Sequence, residues 1–128
     1  MSLAVANQSR RVLMAAHDPA VRSLLKSAFT RAAYIVVEAR DGREAFRTLQ
    51  SDADFAVAFL DFEMPKLSGI DLVEYMKSER RLQRIPVVLM SPETNLNAIP
   101  AGFAAGAMAV LHKPLTPQRL ESALAIWL

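Results

Sequence analysis

The 128-residue sequence predicts an α/β fold: five strand and helix pairs building a parallel sheet with helices on both faces. Three observations predict it. The run Phe55, Ala56, Val57, Ala58, Phe59 and Leu60 is apolar on both faces, as a central parallel strand requires. From Arg10 onward, strand-like and helix-like segments alternate with no repeat, linker or low-complexity tract. Most helix-like segments open on a polar capping residue, often with Pro or Gly beside it. Connections of this length imply right-handed crossovers, which bring the carboxyl ends of all the strands to one rim.

The elements follow in order. The first strand is expected over Val12 to Ala16. Asp18-Pro19 then supplies an N-cap acid and a proline at the first helical position. The helix it opens carries Val21, Leu24, Leu25, Ala28 and Phe29 at helical spacing, giving one inward stripe. The second strand is expected over Tyr34 to Glu38, and Asp41-Gly42 starts a short helix with Ala45, Phe46 and Leu49 inward. The third strand ends at Asp61. Ser68 caps a helix whose inward residues are expected to be Ile70, Val73 and Met76, before the polar stretch Ser78 to Arg84. Val87 to Met90 form the fourth strand after Pro86. The fourth helix falls between Asn95 and Ala105 and contains Pro100. An interior proline costs a helix about 3 kcal/mol, so this helix should start near Pro100 or kink there. The fifth strand is Ala109 to His112, and Thr116-Pro117 opens a last helix burying Leu120, Ala123, Leu124, Trp127 and Leu128.

Composition narrows the function classes. A chain of this length makes one domain with a core sufficient to stand without staples. Cysteine is absent, which removes disulfides and thiolate metal sites and fits a reducing cytoplasm. No apolar stretch approaches the ~20 residues of a membrane span. Fifteen Lys and Arg against thirteen Asp and Glu leave a net charge of +2, too little to argue for direct nucleic-acid binding. Residues 1–9 lack periodicity, and Met1-Ser2-Leu3 reads as an expression scar. Residues 1–9 are therefore expected to be an unstructured or tag-derived segment, with the folded domain over 10–128.

Polar groups cluster where the strands end. His17 and Asp18 follow the first strand, Asp61 ends the third, Ser91 follows the fourth and Lys113 follows the fifth. The crevice outside these ends is where open α/β sheets bind ligands. A carboxylate, a hydroxyl and an ammonium suit phosphoryl capture: Asp61 as nucleophile, Ser91 as donor to a phosphoryl oxygen, Lys113 as charge partner. The plainer alternative is a structural ion pair between Asp61 and Lys113, with Asp61 serving as a turn residue.

These motifs resemble the receiver domains of two-component response regulators. The resemblance runs from about Arg11 to Leu128. It is carried by LDFEMPKLSGIDLVEYMK at Leu60 to Lys77, by DPAVRSLL at the first helix, by IPVVLMS at Ile85 to Ser91 and by GAMAVLHKPL at Gly106 to Leu115. It implies a flavodoxin-like (βα)5 three-layer sandwich with sheet order 2-1-3-4-5. It also implies that Asp61 is the phosphoacceptor, Ser91 the phosphoryl-sensing hydroxyl and Lys113 the phosphoryl charge partner. The donor would be a histidine kinase or phosphotransfer protein. Output would pass to an effector domain or a downstream protein, and homodimers through the fourth and fifth elements are common in the family.

The chain departs from the family pattern in two places. Two adjacent acids that hold Mg²⁺ usually end the first strand; here Ala16 and His17 occupy those positions, and Asp18 is expected to be a helix cap. Mg²⁺ seeks oxygen ligands. Asp61 and, by resemblance, the Glu63 backbone carbonyl are the ligands left, so Mg²⁺ is expected to bind weakly or not at all. His17 could instead join Asp61 around a softer ion such as Mn²⁺, Ni²⁺ or Zn²⁺, although one imidazole and one carboxylate make a poor site. Protonated His17 could also stand in for part of the metal's charge, in which case phosphorylation would fall as pH rises. The second departure is in the switch: Val110 stands where a rotating aromatic is common, and Pro92 where a small residue usually follows the hydroxyl. His112 is expected to point away from the face carrying Val110.

Three functions are therefore in play. The first is a receiver accepting a phosphoryl group on Asp61 with weakened Mg²⁺ dependence, a signalling domain rather than an enzyme, with residual autophosphorylation from small phosphodonors. The second is a pseudo-receiver that docks partners without phosphorylation. The least supported is a hydrolase on the same fold, since no second positioned acid, base or metal cage accompanies Asp61.

Overall fold

The computed structural model describes residues 9–92 and 94–127, with side chains through residue 125. The expected burial of Trp127 and Leu128 and the assignment of residues 1–8 lie outside the described residues. The elements are β1 (Arg11–Ala15), α1 (Pro19–Arg31), β2 (Ile35–Ala39), α2 (Gly42–Ser51), β3 (Val57–Asp61), α3 (Gly69–Ser78), β4 (Val87–Ser91), α4 (Ala98–Ala105), β5 (Ala109–His112) and α5 (Pro117–Trp127). All strand pairs are parallel, in the order β2-β1-β3-β4-β5. This is the flavodoxin-like arrangement.

Strand alternation divides the core into two layers. Leu13, Ala15, Ala58, Leu60, Val87 and Leu89 face α2 and α3, where they meet Ala45, Leu49, Leu72, Val73 and Met76. Val12, Met14, Val57, Phe59, Val88 and Met90 face the other way, toward Leu25, Ala28 and Phe29 of α1 and Leu120 and Leu124 of α5. Every residue of β3 and β4 is buried. That explains why the Phe55 to Leu60 run shows no period-2 pattern. Phe29 meets Phe59 edge to face at 4.9 Å, pinning α1 across the sheet.

Several helical details differ from the sequence expectation. In α3 the buried set is Gly69, Leu72, Val73 and Met76, with Ile70 only half-buried. Helical spacing allowed either face inward; the Ser68–Asp71 cap sets where the helix starts, and its docking on the sheet selects the face that carries Leu72. The polar stretch after α3 hides Leu82, which is fully buried. In α4, Pro100 is the third helical residue, so its missing N–H falls among those a first turn leaves unpaired. The helix therefore forms two residues ahead of the proline.

Candidate functional site

Asp61 closes β3 and is only 2% exposed. Its position follows from the apolar strand before it, which carries the chain through the core and releases it at the rim. Lys113 Nζ lies 2.7 Å from Asp61 Oδ1, and the His17 backbone N–H donates to Oδ2 at 3.3 Å. Burial pushes the carboxyl above the ordinary aspartate range. Lys113 and the His17 N–H pull it back in part, while Asp18 adds to the rise. The outcome is a carboxylate more basic than usual, held beside one ammonium.

Main-chain bonds extend the sheet one residue past its strands here. Phe62 N–H donates to Met90 O at 2.7 Å, and Lys113 N–H donates to Ser91 O at 2.8 Å. Asp61, Ser91 and Lys113 thus stand on three adjacent, zippered strand ends. The Ser91 hydroxyl is fully buried and donates to the Pro92 carbonyl at 2.9 Å rather than to Asp61. On the far side of β3, the loop returns through Lys66 at φ +75° to the α3 cap. Gly69 N–H donates to Phe62 O at 3.0 Å, and a Cβ at Gly69 would sit 2.3 Å from the Asp61 carbonyl oxygen. Only glycine admits so close a crossing.

The β1 end is built differently. Ala16 is buried and brings no ligand atom on its side chain. His17 is exposed, as is Glu63. Asp18 Oδ1 accepts from Ala20 N–H at 2.8 Å as the α1 cap, as the sequence predicts. Among the described residues no three His, Cys, Asp or Glu side chains are grouped to hold a metal ion. Arg22 occupies this corner instead: its Nη1 donates to Ala16 O at 2.7 Å and to His17 O at 3.0 Å. Nothing in the motif pattern singled out Arg22. The available signal was a cation one turn into a helix, close to the end where the helix dipole disfavours it.

Val110 is half-buried on β5 against α4, whose Gly102 would place a Cβ 2.6 Å from Val110 Cγ2. The helix lies close over the valine, filling with backbone the space a larger side chain would need. Leu96, Ile99 and Phe103 on the outer side of this segment are 89%, 42% and 51% exposed. His112 does not point away from the Val110 face as expected. Two residues apart on one strand, the two share a face, and His112 lines a cavity of about 420 Å³ with Leu96, Ile99 and Arg119. Among the described residues no helix is long and apolar enough to cross a membrane.

This fold and rim define a doubly wound α/β domain with a polar site at its strand ends, and sequence comparison identifies its class. Residues 12–125 match the model of the response regulator receiver domain, and the chain belongs to that family. Chemotaxis protein CheY1 of Helicobacter pylori is 31% identical over 117 residues, covering 91% of this chain and 94% of that protein. The structure of chemotaxis response regulator CheY4 of Vibrio cholerae superposes with a TM-score of 0.84 at 28% identity, covering 94% of this chain and 99% of that one. The receiver domain of sensor histidine kinase PA1611 of Pseudomonas aeruginosa, solved with a magnesium ion coordinated in its active site cleft, shares the fold with a TM-score of 0.80 at 18% identity. It covers 93% of this chain and 97% of its own.

Proposed function

We propose that this chain is a receiver that takes a phosphoryl group on Asp61 from the phosphohistidine of a histidine kinase or phosphotransfer protein. The observation that carries the reading is the pair of buried Asp61 and half-buried Lys113 at 2.7 Å, on zippered strand ends beside Ser91. An Asp61 carboxylate oxygen attacks phosphorus, the P–O bond forms, the P–N bond breaks, and the electron pair leaves on the donor imidazole nitrogen. Burial makes the carboxylate a stronger base and so a better nucleophile, while Lys113 offsets the charge gathering on the phosphoryl oxygens. Ser91 serves by rotating its hydroxyl from the Pro92 carbonyl toward a phosphoryl oxygen. The product is an aspartyl phosphate, and its loss returns the domain to the resting state. In this reading the domain acts in the cytoplasm, is not an enzyme, binds no nucleic acid itself, and passes its state to an effector domain or downstream protein. Any self-association would use the α4–β5 face.

The residues at hand fit Mg²⁺ poorly. Ala16 offers no side-chain oxygen, Asp18 is engaged at the helix cap, and His17 offers nitrogen to an ion that prefers oxygen. Asp61 and the Glu63 carbonyl would be its remaining ligands, so phosphorylation is expected to depend little on the ion. For a softer ion, no third His, Cys, Asp or Glu side chain joins His17 and Asp61 among the described residues.

A second reading, docking without phosphorylation, is favoured by one observation: Val110 is packed against Gly102, so no aromatic rotor links Asp61 to the α4–β5 face. Intact-mass spectrometry after incubation with a small-molecule phosphodonor, with and without Mg²⁺, separates the two. A single phosphoryl adduct on the parent, absent from Asp61→Asn and little changed by chelator, is expected. No adduct on folded parent protein under any condition would leave the docking reading.

A further inference from the structure

Besides the Lys113 ammonium, the Asp61 carboxylate receives a backbone hydrogen bond from the end of β1, and its donor is a peptide unit held from behind. The N–H of His17 and the C=O of Ala16 belong to the same planar peptide and point to opposite sides of it. The N–H donates to Asp61 Oδ2 at 3.3 Å, and the C=O accepts from Arg22 Nη1 at 2.7 Å. The same nitrogen also reaches His17 O at 3.0 Å, which fixes the next peptide plane as well. Because a planar unit cannot turn one end without the other, whatever holds the Ala16 carbonyl aims the His17 N–H.

We propose that Arg22 is a positioning residue for Asp61, acting through the Ala16–His17 peptide in the corner where the family's acidic pair is missing. Three features support the assignment. Arg22 lies one turn into α1, and helical side chains lean toward the helix N-terminus, so the guanidinium reaches back over the cap to the end of β1. A cation near that end works against the helix dipole, so local helix preference does not account for it. A charged donor also polarises the peptide it binds, which strengthens the N–H on the far side. With acids at 16 and 17 such a guanidinium would be drawn to side-chain carboxylates. With Ala16 and His17 there, its partners are main-chain carbonyls, and the Ala16–His17 peptide links it to Asp61.

The role does not depend on Asp61 being phosphorylated, and the test keeps the two questions apart. The first readout is the His17 backbone amide in ¹H–¹⁵N spectra of the full chain. In the parent, Asp61→Asn is expected to move this resonance. In Arg22→Met the resonance should shift upfield, and the added effect of Asp61→Asn should shrink to less than about half, as two groups coupled through one network require. Arg22→Lys, which keeps a charged donor for the same carbonyls, should restore most of the parental position. Arg22→Gln, a neutral donor, should fall between and provides a second folded variant should the methionine variant unfold. The second readout is adduct formation from a small phosphodonor, expected to slow by about tenfold in Arg22→Met, or about 1.4 kcal/mol of barrier, and to recover in Arg22→Lys. An unmoved His17 amide in any folded Arg22→Met or Arg22→Gln sample overturns the proposal, whether or not Asp61 takes a phosphoryl group. Absence of an adduct on the parent, with the amide coupling intact, overturns the phosphoacceptor reading alone.

Discussion

At the end of β3 a buried carboxylate meets an ammonium at 2.7 Å inside a frame of main-chain bonds. Across β5, by contrast, α4 rests on Val110 through a glycine and turns Leu96, Ile99 and Phe103 outward. The first region is organised around charge, the second around close packing and exposed apolar surface. In the first, Asp61, Ser91 and Lys113 stand on adjacent strand ends; in the second, a valine is packed under a helix. The two regions therefore rest on different side chains and a different kind of force.

The strongest probe of the charged region is Lys113→Met, which strands Asp61 in the interior. At neutral pH it should lower unfolding free energy by about 2–3 kcal/mol, below the cost of breaking a fully buried pair because the lysine side chain is 28% exposed. The deficit should shrink as pH falls, because a protonated Asp61 needs no partner; urea unfolding at pH 7 and in mild acid measures both.

A matched pair of glycine substitutions puts the two regions side by side. Gly69→Ala drives a Cβ against the Asp61 backbone carbonyl, which cannot give way without moving Asp61, and should cost about 1–3 kcal/mol while slowing any adduct formation at Asp61. Gly102→Ala meets the Val110 methyl instead, and the about 1 kcal/mol gained in helix propensity offsets much of that strain. Near-equal thermal shifts for the two variants would contradict the contrast between a backbone-framed site and a side-chain-packed face.

The smallest effect concerns pH. Burial raises the Asp61 carboxyl, and a group raised on folding adds stability when protonated and loses it as pH rises from its unfolded value through its folded one. The parent should therefore gain on Asp61→Asn as pH falls through the acid range and lose ground toward neutrality. A difference independent of pH would mean that Asp61 titrates as it does in the unfolded chain.

The alternation of strands and helices and the place of the trio at strand ends were legible because their signals are local, whereas the sheet order came only with the resemblance to receiver domains. The run from Phe55 to Leu60 reads as a doubly covered strand, Asp18-Pro19 and Ser68 mark helix starts, and the polar residues directly follow the apolar runs. Pro100 gave the start of α4 to within two residues because proline is tolerated only in a first turn. What escaped depends on contacts between distant segments. Burial of Leu72 over Ile70 is set by the docking of α3, and burial of Leu82 by the return of the chain toward β4. The Ser91 hydroxyl was expected to face a phosphoryl group, and its bond to Pro92 is a rotamer outcome that no pattern records. Arg22 acts through main-chain carbonyls, which carry no residue identity at all.

The two bonds that carry the ladder past β3 and β5 bear on how the molecule breathes. Phe62 N–H and Lys113 N–H are tied to the backbone of β4, the most deeply covered strand beside β3. Their amides should exchange with solvent deuterium only through openings that disrupt the central sheet, whereas the first turn of α4, with no side-chain cap at Asn97, should exchange through local fraying. The corner that holds Asp61 and Lys113 would then belong to the last part of the fold to open, so its chemical geometry persists in partly unfolded forms that have already lost the α4 face.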